Sequence, residues 1–85
     1  MLRPDIEQVE WIDSKCRGGW IAVEDVIEEL ESEDCSSVGY VLAEDTTFLY
    51  MSATISEDGC LCPFSIPLTS IIERRLLVAG ESETT

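Results

Sequence analysis

Residues 37–56 read SVGYVLAEDTTFLYMSATIS, two apolar runs joined by Glu44-Asp45-Thr46-Thr47, and no other stretch restricts the fold as much. Valine, tyrosine, leucine, phenylalanine, isoleucine and threonine crowd both runs. These β-branched and aromatic types suit a pleated surface, so the pattern predicts an antiparallel hairpin. With the turn on Asp45-Thr46, Val38 pairs with Ala53, Tyr40 with Met51 and Leu42 with Leu49, and the six share one face. The opposite face takes Gly39, Val41, Ala43, Phe48, Tyr50 and Ser52, so it is partly apolar too. A slip of one residue would exchange the faces. Both need cover, which a strongly bent sheet wrapped on itself supplies. The turn has no glycine, so a four-residue loop suits it as well as a tight primed turn.

Around this hairpin the chain falls into an order of elements. Residues 1–8 read as a loose lead-in, and Val9 to Asp13 as a first strand by partial alternation. SKCRGG at residues 14–19 is a loop, with free backbone at Gly18-Gly19. Residues 20–33 form the best helical window. There Ala22, Val23, Val26, Ile27 and Leu30 fall on one face at helical period, and Glu24, Asp25, Glu28, Glu29 and Glu31 on the other. No Ser, Thr, Asp or Asn caps its start clearly, and the acids near its end oppose the helix dipole. The expectation is two to three turns held by packing.

After the hairpin, Glu57-Asp58-Gly59 is a turn. Leu61, Phe64 and Ile66 mark a strand broken by Pro63, which is therefore short, bulged or at an edge. Residues 67–70 suit one 3₁₀ turn, residues 71–78 a last strand, and residues 80–85 a frayed end. The fold class is mainly β with one short helix. Three meandering strands, a 3₁₀ turn and a closing strand suggest a small antiparallel barrel, SH3-like or Sm-like, which removes most sheet edges. Its core would hold Val38, Tyr40, Leu42, Leu49, Met51, Ala53, Val26, Ile27, Leu30, Ile66 and Ile71. The alternative is an open antiparallel sheet with the helix packed across one face, an α+β arrangement.

A chain of 85 residues, with no repeat or linker, is a single domain over residues 1–85. A domain this small buries roughly 60–65% of its unfolded surface and gains from oligomerising. The outer hairpin face, with Val41, Phe48 and Tyr50, or an open strand edge suits a homo-oligomer. Eighteen acids against five bases give a net charge of −13. That surface repels nucleic acid and anionic lipid, because phosphate binding needs a basic footprint. It attracts basic partners and steers them at long range. No apolar run approaches the ~20 residues of a membrane span. Met1-Leu2-Arg3-Pro4 leads straight into acidic sequence, so neither a signal peptide nor a membrane association is expected.

Enzymatic chemistry finds little footing. With no histidine, a Ser–His or Cys–His nucleophile pair cannot form. Gly18-Gly19 has neither the dinucleotide-binding nor the P-loop form. Cys16, Cys35, Cys60 and Cys62 lack metal-finger spacing, so no cofactor or metal is expected unless the fold gathers all four thiols. Two binding surfaces stand out. One is the acidic helical face, Glu24, Asp25, Glu28, Glu29 and Glu31, which is either a solvated face or a contact for basic residues. The other is a small-ligand pocket in which Asp13, Ser14 and Trp20 surround the glycine loop and Arg17 or Arg74 neutralises an anion. The plain alternative is that Asp13 and Ser14 satisfy loop amides while Trp20 anchors the helix.

The frame Trp11-x-Asp13-Ser14, Gly19-Trp20, Ser37-Val38-Gly39, Ile66-Pro67 and Ile71 resembles a group of small acidic proteins encoded by bacteriophages and prophages. The resemblance covers residues 9–77 and implies a single-domain, β-rich accessory protein without a settled activity, working in the host bacterial cytoplasm. It favours an inhibitor that binds a host defence protein with a basic surface. An oligomeric trap for a nucleotide signal and a structural accessory protein are the alternatives it leaves open.

Overall fold

A computed structural model describes residues 3–16 and 18–78, and within them the protein is mainly β with one short helix. The strands are β1 (Ile6–Asp13), β2 (Glu33–Glu44), β3 (Phe48–Ser52), β4 (Thr54–Ser56), β5 (Gly59–Leu61), β6 (Phe64–Pro67) and β7 (Ile71–Leu77). Between β1 and β2, a 3₁₀ turn (Val23–Asp25) runs into α1 (Val26–Glu29), a single helical turn. A second 3₁₀ turn (Leu68–Ser70) joins β6 to β7, where residues 67–70 predict it. Five strands form an antiparallel sheet in the order β6-β3-β2-β1-β7, and β4 pairs with β5. The sheet is open: among the described residues its end strands β6 and β7 do not pair with each other. The lead-in is shorter than expected, since β1 begins at Ile6, and residues 80–85 lie outside the described residues.

The central hairpin forms, in a different register. Its loop is Asp45-Thr46-Thr47, three residues, fixed by the Asp45 carboxylate. Oδ1 accepts the N–H groups of Thr47 at 2.8 Å and Phe48 at 2.7 Å, and Oδ2 accepts the Tyr50 hydroxyl at 2.9 Å. Glu44 therefore pairs with Leu49, and a bulge at Leu42 brings Val41 opposite Met51. The slip moves the core as the period of two demands. Leu49, Met51 and Ile66 are fully buried as expected, joined by Val9. Trp11, Val41, Phe64, Leu68 and Ile71 pack against them. Val41, expected outside, lies in this core, while Val38 is 53% exposed and Ala53 is exposed. Tyr40 and Leu42 are only half-buried. The apolar patch of Val41, Phe48 and Tyr50 is thus not assembled.

The long strand expected through residue 56 breaks at Ala53. Its two pieces keep one register against β5 and β6: Met51 faces Phe64, and Thr54 faces Leu61. The break falls where Ser52 and Ala53 would meet Pro63 and Cys62. Pro63 has no N–H to donate, and Cys62 has a φ of 50°. The buried Ser52 hydroxyl replaces the missing ladder. It lies 2.7 Å from the Leu61 carbonyl and 2.9 Å from that of Thr54, and it accepts the Thr54 N–H at 3.2 Å. β4 and β5 then project as a short hairpin of their own.

The helix is the larger departure. Residues 20–33 were expected to pack two to three turns against the sheet; the segment holds one 3₁₀ turn and one α turn, neither with a side-chain cap nor a buried residue. Val26 and Leu30 are half-buried, but Ile27 is 88% exposed and leaves the expected core. The helix of the open-sheet alternative is thus a single turn with no residue buried. The polar run Glu33 to Ser36 instead lengthens β2 and pairs with Asp13 to Glu10 of β1.

Candidate functional site

Three of the four described bases are committed to acids. The Arg74 guanidinium is bidentate to Glu7, Nε to Oε1 at 2.7 Å and Nη2 to Oε2 at 3.0 Å, and its Nη1 reaches Glu44 at 2.8 Å. These carboxylates push its pKa above the ordinary arginine value. The cluster ties β7 to β1 and to the end of β2. Arg75 pairs with Glu73 at 2.9 Å, and Lys15 with Glu33 at 3.2 Å. On the outer face of β1 and β2, the Ser36 hydroxyl and the Gln8 amide both donate to Glu10 and hold its carboxyl below the usual range. Of the described bases, only Arg3 has no carboxylate partner.

This leaves residues 20–31 as a concentrated acidic segment. Glu24 and Asp25 sit in the 3₁₀ turn, Glu28 and Glu29 in α1, and Glu31 just beyond it; all five are exposed. Glu24, Asp25, Glu28 and Glu31 pair with none of the described bases. Among these acids stand Trp20, 100% exposed, and Val23, 84% exposed, beside Ile27. Sequence periodicity assigns Val23 and Ile27 to the packed face of a helix; without caps the helix stays short and that face turns outward. The missing cap and the acids at the helix end were the signal for this.

The small-ligand constellation is not assembled within the chain. Asp13 and Ser14 are exposed at the end of β1, and Trp20 is fully exposed. Arg74 lies opposite Val9, four residues from Asp13 along β1, or about 13 Å at strand rise. Arg17 lies outside the described residues. A cleft that the sequence did not announce, about 450 Å³, opens beside the β4–β5 hairpin, between Pro4, Leu42, Ile55 and Cys60. Glu57 and Asp58 line it with no base, so its field repels anions. The four thiols are free, and Cys60 and Cys62 are exposed on the projecting hairpin. Among the described residues no helix is long and apolar enough to cross a membrane.

No family model, curated protein or solved structure matches the chain.

Proposed function

We propose that this protein is a non-enzymatic, phage-encoded inhibitor that covers a basic surface of a host defence protein with residues 20–31. One observation carries the reading: Trp20, Val23 and Ile27 are almost fully exposed in a segment whose remaining side chains are mostly carboxylates. Exposed apolar side chains in one short segment cost solvation unless something covers them. Tryptophan is the side chain most often found as a binding anchor. The surrounding acids select a partner of opposite charge and speed its approach. The alternation therefore suits a surface evolved for phosphates, with a hydrophobic notch between its lysines and arginines. The resemblance to small acidic phage proteins supports the setting, the host cytoplasm. The sheet order and the single 3₁₀ turn between β6 and β7 support our reading of the scaffold as an SH3-like barrel left open between those two strands.

The test is capture from host lysate by three forms of the chain. Wild type should retain a basic protein. A form carrying Glu24→Lys, Glu28→Lys and Glu31→Lys should lose it, and so should Trp20→Ala. All three should keep the same circular dichroism spectrum, because none of these residues is buried. Equal capture by wild type and the charge-reversed form would defeat the proposal.

A further inference from the structure

The two ends of the five-stranded sheet differ. β6 is four residues long, follows Pro63 and ends in Pro67. Proline on an edge strand blocks added pairing. β7 has neither proline nor a covering strand; among the described residues it pairs with β1 alone. From Glu73 to Leu77 it runs in unbroken register against Glu10 to Ile6, so its outer edge is regular over that length. The bulge between Glu10 and Trp11 falls at Ile72, which has no partner on β1. This free edge also shows apolar side chains: Ile72 is 60% exposed and Leu76 56%.

We infer that β7 pairs antiparallel with β7 of a second copy, about a two-fold axis at Arg74. The sequence Ile72-Glu73-Arg74-Arg75-Leu76 is complementary to itself when reversed. In that register Glu73 faces the second copy's Arg75, and Arg75 its Glu73. Ile72 faces Leu76, and Leu76 faces Ile72. Glu73 and Arg75 already touch within one chain at 2.9 Å, so the four charges form a square of alternating sign. Opposite charges and apolar pairs directly across an antiparallel ladder stabilise it. Arg74, the one like-charged pair on the axis, is neutralised in each copy by Glu7 and Glu44. A two-fold contact of this kind closes on itself and stops at the dimer. The occupant is a second copy because β7 carries two of the chain's five bases, so this edge escapes the acidity that repels like chains elsewhere. The inference is independent of the partner proposed for residues 20–31.

Light scattering on the intact chain tests it. Wild type should show a dimer mass at high micromolar concentration. Arg75→Glu alone, or Glu73→Arg alone, should raise the dissociation constant at least ~10-fold, because attractive cross-strand pairs become repulsive. The double variant, Glu73→Arg with Arg75→Glu, restores the square and should restore the dimer. Mixing the two single variants should likewise give a mixed dimer. Both side chains are more than half exposed, at 53% and 59%, so neither change should unfold the domain. If one does, Leu76→Ser should weaken association in its place. A wild type that stays monomeric, or a dimer indifferent to the single reversals, overturns the inference.

Discussion

At Gly39 a single methyl group decides how closely two strands approach. A β-carbon there would sit 2.9 Å from the Ser52 carbonyl oxygen and 3.2 Å from its carbon, both backbone atoms. Neither can swing aside, because Ser52 is clamped through its hydroxyl to Leu61 and Thr54. Gly39→Ala should therefore cost about 1–3 kcal/mol as overpacking, measured by urea unfolding. An unchanged midpoint would show that β2 and β3 part freely. Asp45 sets the hairpin loop and carries a pH signature. Hydrogen bonds from the Phe48 and Thr47 N–H groups and the Tyr50 hydroxyl hold its carboxyl below the usual aspartate range. A lowered pKa in the folded state stabilises above the unfolded value, about 3.9, and the benefit fades as pH falls through the folded value. Asp45→Asn should lower the melting temperature at neutral pH, and the gap should close on acidification below about pH 4. A gap that persists at pH 2 would assign the loss to shape, not charge. The sequence announces Asp45 as a turn residue, but not the bulge at Leu42. That one extra residue in β2 moved Val41 inward and Val38 outward.

Among the elements, strands that pack are more legible than the helix that does not. Alternation identifies β1, β2, β3 and β7, and Pro63 marks a strand that is short, bulged or at an edge, which β6 is in being short and at the sheet's end, because these signals report local contacts. Helical periodicity in residues 20–30 reports only that a face could be buried. Forming a short helix costs nucleation that packing must offset, and here no strand covers Val23 or Ile27. β2 gains Glu33 to Ser36 for a reason no propensity records: Asp13 to Glu10 lie alongside to pair with them. The contrast is measurable. Met51→Ala removes a fully buried side chain and should cost about 2–5 kcal/mol. Ile27→Ala, although expected from sequence to cost as much, should shift stability by no more than about 0.5 kcal/mol. It should still weaken capture of the basic partner. A large loss of stability at Ile27 would mean that the segment packs on the domain, and would remove the main support for residues 20–31 as a contact face.

For the whole molecule the governing quantity is a charge of −13 over 85 residues. Among the described residues Arg74 is shared between two acids and Arg75 and Lys15 hold one each, and eighteen acids in all far outnumber five bases. Folding gathers this like charge into a small volume, and the repulsion works against the compact state. Salt reduces the interaction range to about 8 Å at physiological ionic strength. The urea midpoint should therefore rise as sodium chloride is added from low to physiological concentration; urea is the proper denaturant because it carries no charge. Self-association through β7 should strengthen in the same titration, since the chains outside that edge repel one another. Binding of a basic partner should move the opposite way and weaken steeply, because there the charges attract. Three responses to one variable, two rising and one falling, separate fold, assembly and recognition without a mutation. A midpoint that stays flat or falls with salt would mean that the acidic surface is balanced within the chain, leaving no surplus of negative charge to steer a partner.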